Sequence, residues 1–471
     1  MGQFMTPEPV ARMMASMLSL ERDTVSILDP GAGVGSLTAA LVAELLGRDR
    51  PPNRIEVVAY ELDSLLEADL VRTLELCSAA CSSVGVSFEG RCEISDFLEA
   101  ASANCDSGGE YHFDCAILNP PYRKIGSQSP ERRLCREMGL EVPNLYAGFV
   151  GAAALLLKDG GEMVAITPRS FANGPYFRSF RSFLLDRMAF RRLHVFESRN
   201  EAFREDDVLQ ENLIVHADKA AGSPEFVAIT ASRTPDDEVT WREVHWSRVV
   251  YEHDAEQFIH LIDGEEADAV AERIGRLDNY LSDLRLSVST GPVVDFRAVE
   301  FLRSCPGTDT VPLLYPTHLQ GGVIQWPREQ AKWNAFVLND KSERQTVPKG
   351  NYVLVRRFTA KEERRRVVSA VYEAGAIETE RVGFENHLNY FHAAGSGIPL
   401  DLARGLALYL NSSLVDSYFR QFSGHTQVNA ADLRNIPYPG RARLEAAGRA
   451  VGASVLDQDG IDRAVERHLS I

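Results

Sequence analysis

The first half of the chain alternates short apolar runs with helical stretches, and this alternation constrains the fold more than any other feature. Runs that are short and rich in apolar or β-branched residues predict strands. Seven such runs occur, at 25–29, 55–61, 86–95, 113–119, 162–167, 193–197 and 212–216. They predict an α/β domain with a seven-stranded, mostly parallel, Rossmann-like sheet covered by helices on both faces. Ligands bind beyond the carboxyl ends of strands in such sheets.

A change of pattern after this region predicts a second domain. A chain of 471 residues is long enough for two or three domains. We expect the first domain to span 1–235 and an α+β domain to span 281–471. Between them, 236–280 is predicted to be an acidic linker that contains a helix over 254–277. In the last of these, the amphipathic pattern over 402–419 predicts one long helix.

A glycine-rich loop follows the first predicted strand. It reads Asp29-Pro30-Gly31-Ala32-Gly33-Val34-Gly35, and its glycines let the backbone approach a ligand closely. The spacing is not that of the dinucleotide fingerprint. An acid directly before the glycines suits a cationic ligand, such as the sulfonium and ammonium groups of S-adenosylmethionine, better than a pyrophosphate.

Further acids end the next two predicted strands. Glu61 is placed to accept hydrogen bonds from both hydroxyls of a ribose. Asp96 and Phe97 are placed to contact an adenine ring, the acid at its amino group and the aromatic ring on its face. The competing interpretation of each acid, and of Asp63 in particular, is a helix N-cap.

The most specific motif is Asn119-Pro120-Pro121-Tyr122, at the end of the fourth predicted strand. The lone pair of an aromatic amine is delocalised into its ring, so the amine is a poor nucleophile. The Asn119 side-chain oxygen and the Pro120 carbonyl can accept its two N–H bonds, which favours a tetrahedral nitrogen and stabilises the developing charge. The prolines keep these acceptors aimed, and Tyr122 offers a face to a base removed from its stack. This chemistry needs no metal. The competing interpretation is a Pro-Pro turn that only ends a strand.

These motifs resemble, in content and order, those of the gamma class of DNA adenine-N6 methyltransferases, which are TaqI-like in layout. Thr6-Pro7 and the helical stretch 10–18 look like the N-terminal cofactor motif of that class. The resemblance implies methyl transfer from S-adenosylmethionine to N6 of a flipped-out adenine in double-stranded DNA, within restriction–modification. It implies that the cofactor contacts Thr6, Asp29, Pro30, Gly31, Gly33, Gly35, Glu61, Asp96, Phe97 and Asn119.

The resemblance also extends beyond the tetrad. Phe203 stands where the family carries an aromatic residue that contacts the flipped adenine, although Phe196 competes for that role and a core phenylalanine is the alternative. Segments 289–291, 314–319 and 410–437 resemble parts of the family's target-recognition domain.

The charge distribution indicates a face for DNA. The net charge is −17, but the acids are concentrated in 1–118 and 221–280, whereas 119–220 and 281–370 carry more basic than acidic residues. Basic residues with interleaved aromatics are typical of phosphate contacts, although a solvated surface is the alternative. The predicted DNA-binding residues are Arg344, Lys349, Arg356, Arg357, Lys361, Arg364, Arg365 and Arg366.

Other interpretations stay open at this point. The same tetrad serves enzymes that methylate cytosine N4, RNA adenine or protein glutamine, and a catalytically dead DNA-binding subunit is a further alternative. Whether a separate restriction endonuclease accompanies the chain stays open as well. Seven cysteines without a Cys-x-x-Cys pair favour a reducing cytoplasm over a disulfide framework. No apolar run of about 20 residues occurs, so no membrane segment is predicted.

Overall fold

The computed structural model describes residues 5–107, 113–196, 212–220, 222–251, 254–261, 264–329, 331–359, 363–423 and 426–471. The chain divides into two compact units, Met1–Asp263 and Gly264–Ile471. Unit 1 contains α1 (Glu8–Ala15), β1 (Thr24–Pro30), α2 (Ser36–Leu46), β2 (Arg54–Glu61), α3 (Glu67–Ser83), β3 (Ser87–Ile94), α4 (Phe97–Asp106), β4 (Phe113–Leu118), α5 (Pro130–Glu137), α6 (Leu145–Leu156), β5 (Leu157–Pro168), α7 (Arg178–Arg187), β6 (Met188–Phe196), β7 (Asn212–Lys219), β8 (Phe226–Ser232), β9 (Thr240–His245) and α8 (Trp246–Val249).

One large sheet organises unit 1, with the strand order β3-β2-β1-β4-β5-β7-β6-β8-β9. The pairs β1–β2, β1–β4, β2–β3, β4–β5 and β6–β8 are parallel, whereas β7 is antiparallel to both of its neighbours and β9 is antiparallel to β8. The α/β class and the mostly parallel sheet are confirmed. The predicted strand count was wrong, because β8 and β9 extend the sheet from seven strands to nine.

Burial along the strands explains why their sequences look as they do. The central strand β4 is buried at every position, and so is β1 after its first residue, since helices cover both faces of a parallel sheet. The edge strand β3 is largely exposed or half-buried, which agrees with its weaker apolar pattern. Val25 and Ile27 of β1 pack with Leu41 of α2 in the core of the unit.

Unit 2 is a mixed α+β structure. It contains α9 (Glu265–Gly275), β10 (Ser287–Thr290), β11 (Leu302–Arg303), β12 (Thr310–Leu314), β13 (Leu319–Gln320), β14 (Val323–Ile324), β15 (Ala335–Val337), β16 (Val347–Pro348), β17 (Tyr352–Arg356), β18 (Ser369–Tyr372), β19 (Arg381–Phe384), β20 (Leu388–His392), α10 (Leu400–Leu410), α11 (Ser413–Phe422), α12 (Ala430–Asn435), α13 (Arg441–Val451) and α14 (Gln458–Leu469). Its strands form a six-stranded and a five-stranded sheet.

The single helix predicted over 402–419 is two helices. The chain leaves α10 after Leu410, and Ser412 starts α11 by accepting a hydrogen bond from the backbone N–H of Val415 at 3.2 Å. Serine is a favoured N-cap because its hydroxyl satisfies an amide that has no partner within the helix. The amphipathic pattern continues across the break, so the pattern alone concealed it.

The boundary between the units falls within the stretch predicted as a linker. Of that stretch, 240–245 forms β9 of the large sheet, and 265–275 forms α9 of unit 2. The helix predicted over 254–277 is therefore wrong in its first half, because 254–261 has no helical structure. Among the described residues, no helix is both long enough and apolar enough to cross a membrane.

Candidate active site

A cavity of about 350 Å³ opens at the carboxyl ends of β1, β2 and β4 in unit 1. This is the edge of a parallel sheet at which ligands bind. The cavity brings together most of the predicted site residues. Its lining consists of Met5, Thr6, Gly31, Ala32, Gly33, Val34, Ser36, Leu37, Tyr60, Glu61, Leu62, Asp63, Ser95, Asp96, Phe97, Asn119, Pro121, Arg123, Glu131, Leu145 and Phe149.

The glycine loop is tied to the end of the neighbouring strand β2. The backbone N–H groups of Gly31 and Ala32 both donate to the Tyr60 carbonyl at 2.9 Å. Gly31 has a φ of 80° and Gly33 a φ of 58°, and L side chains rarely adopt this left-handed region. The loop therefore needs glycine at these positions and presents its backbone to the cavity.

Asp29 lies beneath the loop and does not line the cavity, which differs from the direct ligand contact predicted for it. It is fully buried, and its Oδ2 accepts a hydrogen bond from the Thr38 hydroxyl at 2.6 Å. Burial raises the pKa of Asp29 to about 7, although the bond from Thr38 opposes the shift. Pro30 and Gly35 of the predicted cofactor set are likewise absent from the lining.

Glu61, at the end of β2, also holds the glycine loop. Its Oε2 accepts from the backbone N–H of Gly33 at 2.8 Å, and its Oε1 accepts from those of Leu62 and Asp63 at 2.9 and 2.8 Å. Asp63 accepts from the backbone N–H of Leu65 at 3.0 Å, so the N-cap interpretation describes that residue. Glu61 thus combines a structural role with a place in the cavity wall.

Aromatic rings form one end of the cavity. The Phe97 ring centroid lies 5.4 Å from that of Tyr60 and 5.2 Å from that of Phe149. Asp96 caps α4 through the backbone N–H of Leu98 at 2.7 Å, and it also lines the cavity. Both interpretations of Asp96 therefore agree with its position, and the ring cluster makes this end suitable for a flat heterocycle.

The Asn-Pro-Pro-Tyr tetrad follows β4 directly and borders the same cavity. Asn119 donates from Nδ2 to the Thr6 hydroxyl at 3.1 Å, and its Oδ1 accepts from the Tyr122 hydroxyl at 3.2 Å. Pro120 is buried, and Pro121 lines the cavity. In this arrangement the amide nitrogen of Asn119 faces Thr6 and its amide oxygen faces Tyr122.

Tyr122 is held by further contacts beside the tetrad. Its hydroxyl also lies 3.5 Å from the Ile166 carbonyl of β5, and its ring meets the Tyr146 ring edge-on at 6.1 Å. Burial raises the pKa of Tyr122, so its hydroxyl is a donor and not an anion at neutral pH. The sequence predicted an aromatic face here but gave no sign of the bond to Asn119.

Phe203 and Phe196 are the two candidates for the aromatic contact to a flipped base. Phe203 lies outside the described residues. Phe196 is buried at the end of β6, where its ring packs edge-on against His194 at 4.8 Å within the core cluster. The position of Phe196 is that of a core residue, so it does not compete for a contact to DNA.

Several lining residues had no clear signal in the sequence. Arg123 directly follows the tetrad, and its Nη2 pairs with Glu131 of α5 at 2.5 Å. In the sequence, only the position of Arg123 directly after the tetrad indicated that it could line the site. Phe149 and Leu145 come from α6, whose uniformly apolar sequence predicted only a buried helix, so nothing distinguished the two residues that reach the cavity.

The predicted DNA-binding residues of unit 2 do not form one continuous exposed surface. Arg344 and Arg364 are exposed, and so is Lys349, whose Nζ lies 3.8 Å from Glu380. Half-buried Arg356 and Arg357 donate to the backbone carbonyls of Leu319 and Asn386 at 2.9 and 3.1 Å. Lys361 lies outside the described residues.

The end of the basic stretch turns into the protein. Arg365 is half-buried and donates to the Gln458 side chain at 2.5 Å, and its burial lowers its pKa. Arg366 is 1% exposed, with hydrogen bonds to the side chains of Thr359 and Ser423, both at 3.2 Å. The prediction that Arg366 contacts DNA is therefore wrong, because a side chain in the core reaches no phosphate.

The C-terminal motifs make hydrogen bonds within unit 2. Asn411 donates to the Ser369 carbonyl and accepts from the Ser369 N–H, both at 2.9 Å. His318 is buried, and its Nδ1 accepts from the Tyr315 N–H at 2.9 Å. Gly291 lies so close to the Glu385 carbonyl that a Cβ would be 2.2 Å from its oxygen. These contacts give residues of all three motifs a structural role within unit 2.

The strand order, the glycine loop after β1 and the tetrad after β4 define a methyltransferase of the Rossmann-like type. The models of two families match the first half of the chain, Eco57I restriction-modification methylase at residues 86–203 and N-6 DNA Methylase at residues 1–138. The Type II methyltransferase M.PstI of Providencia stuartii is 42% identical over 100% of this chain and 93% of its own length. M.BsuBI of Bacillus subtilis is 42% identical over 96% of this chain and 90% of its own.

The chain therefore belongs to the type II methyltransferases and is an adenine-N6 DNA methyltransferase of restriction–modification type. Among solved structures, the Type IIL restriction-modification enzyme MmeI in complex with DNA is similar in fold, with a TM-score of 0.57 at 10% identity, over 98% of this chain and 71% of that one.

Proposed function

We propose that the cavity of unit 1 binds S-adenosylmethionine and that the tetrad presents the adenine amine to it. The observation that carries this proposal is the continuity of the two sites, since Asn119 and Pro121 line the same cavity as Gly31, Glu61 and Phe97. A cavity of about 350 Å³ is in the size range of small-molecule sites. The residues fit the group, because the cavity lining combines aromatic rings, the glycine-rich loop and carboxylates.

Each end of the cavity suits a different part of the cofactor. The rings of Phe97 and Phe149 would cover the adenine, with Asp96 at its amino group. Glu61 would accept from the ribose hydroxyls. The acid beneath the glycine loop, Asp29, would favour the positive charge at the methionine end. When bound, the cofactor supplies the methyl group as an electrophile attached to a sulfonium.

The tetrad activates and positions the target amine. Asn119 Oδ1 and the Pro120 carbonyl accept the two N–H bonds of adenine N6 and so favour a nitrogen lone pair that points at the methyl group. The Oδ1 atom already accepts one long bond from Tyr122, but a carbonyl oxygen has two lone pairs and can accept another donor. In this orientation of the amide, the Thr6 hydroxyl accepts the hydrogen bond from Nδ2.

The substrate is double-stranded DNA from which the target adenine is flipped, because a stacked base cannot reach the tetrad. Tyr122 would contact the flipped base, and Phe203 is proposed as a second aromatic contact. Unit 2 would recognise the target sequence, with Arg344, Lys349 and Arg364 as the exposed candidates for phosphate contacts. A separate endonuclease that cuts the same unmethylated site would be the partner in restriction–modification.

Two exposed leucines provide a matched test of the cofactor site. Leu62 is 69% exposed and lines the cavity, whereas Leu65 is 84% exposed and does not. Because both are exposed, Leu62→Ser and Leu65→Ser should fold equally well. We expect calorimetry to show S-adenosylmethionine bound about tenfold more weakly by the Leu62 variant and unchanged by the Leu65 variant, since an apolar contact of this size contributes ~1.5–3 kcal/mol at most. Equal binding by both variants would contradict this placement of the cofactor.

A further inference from the structure

The loop that follows β5 ends in an exposed aromatic residue. Tyr176 is 82% exposed, and the next residue, Phe177, is 7% exposed. Pro175 and Arg178 on either side of the pair are exposed as well. The turn therefore anchors one aromatic ring in the protein and presents another, together with a guanidinium group, to the surface.

This loop is rigidly held. Arg181 is fully buried, and its Nη1 donates to the carbonyls of Phe171 and Gly174 at 2.9 and 2.8 Å. Its Nε and Nη2 donate to the Glu256 carbonyl at 3.0 and 2.7 Å. A Cβ at Gly174 would lie 2.5 Å from the Ser170 carbonyl oxygen, so the turn is too tight for a side chain there. The exposed position of Tyr176 is thus fixed by the protein.

The loop lies on the same edge of the sheet as the tetrad. The strands β4 and β5 are parallel, so the ends of both, at Leu118 and Pro168, face one edge. The ring of Phe177 stacks on that of Tyr146 at 5.5 Å, and Tyr146 in turn meets Tyr122 at 6.1 Å. Contacts between aromatic rings therefore run from the tetrad to the residue beside Tyr176.

We propose that Tyr176 and Arg178 contact the substrate DNA beside the target adenine, with the Tyr176 ring stacked on a base exposed when the adenine leaves the helix. The inference rests on the proposed function and adds a residue that stabilises the flipped state. Removing a base from its stack costs free energy, and an aromatic ring restores part of the lost stacking because every base has a π-face. Arg178 would bind a phosphate at the same place.

A single exposed aromatic residue needs no explanation by itself. Three observations together distinguish Tyr176. Its loop lies on the same edge of the sheet as the tetrad, the buried Arg181 side chain holds that loop through hydrogen bonds, and the exposed Arg178 follows two residues later. Phe226 provides the contrast, because it is 46% exposed at the start of β8, on the opposite edge of the sheet. Phe226→Ala is therefore a matched control for loss of an exposed ring.

The test uses two DNA duplexes that carry the site modified by the wild-type chain, one with the target adenine paired and one with it mispaired. Mispairing lowers the cost of flipping. We expect Tyr176→Ala to reduce kcat/KM at least tenfold on the paired duplex and less than threefold on the mispaired one. Tyr176→Phe and Phe226→Ala should behave as wild type on both, and the affinity for S-adenosylmethionine should be unchanged in all variants.

Two results would overturn the inference, and neither coincides with failure of the proposed function. Wild-type activity of Tyr176→Ala on the paired duplex would show that the ring makes no useful contact. An equal loss on both duplexes would show a structural effect instead of a role in flipping. Failure of the wild-type chain to modify any site in unmethylated DNA, by contrast, would contradict the proposed function before the duplexes could be designed.

Discussion

Asn119 of the Asn-Pro-Pro-Tyr tetrad donates from Nδ2 to the Thr6 hydroxyl at 3.1 Å, which joins the N-terminal segment to a residue 113 positions later in the sequence. The other end of the same amide accepts from the Tyr122 hydroxyl. For the amide to turn over, both hydroxyls would have to exchange their donor and acceptor roles. Thr6 therefore lines the cavity and also bonds to the amide whose oxygen we propose to act in catalysis.

Substitution of Thr6 should affect the chemical step more than binding of the cofactor. Thr6→Ser keeps the hydroxyl and should retain activity within about threefold, whereas Thr6→Val has a similar shape without the acceptor and should lower kcat by about tenfold, as expected for loss of one hydrogen bond of ~1.4 kcal/mol. Single-turnover methylation measures the step directly. Equal rates for the serine and valine variants would show that the bond to Asn119 does not orient the amide.

Binding of a cationic cofactor should depend on the ionisation of Asp29. Burial raises the pKa of this carboxyl to about 7, and a positive ligand nearby favours the charged form. The affinity for S-adenosylmethionine should therefore increase as the pH rises toward 7, by at most about tenfold per pH unit, and level off above it. Calorimetry between pH 5.5 and 8.5 measures the slope.

The stability of the unliganded chain should follow the opposite trend. A carboxyl whose pKa is raised on folding contributes stability that is fully present below its unfolded pKa of about 3.8 and is lost as the pH rises through about 7. Asp29→Asn should remove both pH dependences. An unchanged slope of affinity against pH in that variant would assign the titration to another group.

Helix packing in unit 2 depends on Gly405 of α10. A Cβ at this position would lie 1.8 Å from the Leu444 carbonyl oxygen of α13, and a backbone atom cannot give way as a side chain does. Gly405→Ala should lower the free energy of unfolding by at least ~1–3 kcal/mol, because the helices must separate. Gly275→Ala is the control, since a Cβ there meets no atom within 4 Å. Urea denaturation of the full chain compares the two variants, and equal stability would contradict the packing.

The basic residues of unit 2 should separate into two groups when replaced. Arg344→Ala should weaken binding to DNA of any sequence and reduce the salt slope by about 1, as expected for loss of one phosphate contact. Arg366→Ala should lower stability instead, because this buried side chain bonds to Thr359 and Ser423. Titrations of DNA at several salt concentrations, together with thermal melting, distinguish the two outcomes. A reduced salt slope without loss of stability in the Arg366 variant would contradict its burial.

The sequence predicted most of the strands that are buried on both faces, because burial in a parallel sheet leaves apolar runs such as residues 115–118 of β4. It missed β8, Phe226–Ser232, although that strand is also largely apolar and buried. It missed β9 because an exposed edge strand, Thr240–His245, has a polar and charged sequence. It also missed the break at Ser412, since the apolar face continues from α10 into α11. The misses at β9 and at Ser412 share one cause: tertiary contacts decide where a weak local pattern becomes structure.

In the candidate site too, some features could be predicted from the sequence and others could not. The glycine loop and the tetrad could be predicted because their residue types are dictated by chemistry. The burial of Asp29 and Arg366 could not, because charged residues are mostly exposed and only the surrounding packing reverses that expectation. The bond between Thr6 and Asn119 joins distant parts of the chain, so only the fold reveals it.

We expect the tetrad to direct methylation to adenine N6 in DNA. To test this claim directly, the purified chain is incubated with S-adenosylmethionine and unmethylated genomic DNA, the DNA is digested to nucleosides, and the modified base is identified by mass spectrometry. We expect N6-methyladenine from the wild-type chain and at least a hundredfold less from Asn119→Ala, since loss of one such acceptor costs about 10²–10³ in rate. N4-methylcytosine, or no modified base from a wild-type chain that binds S-adenosylmethionine, would contradict the claim.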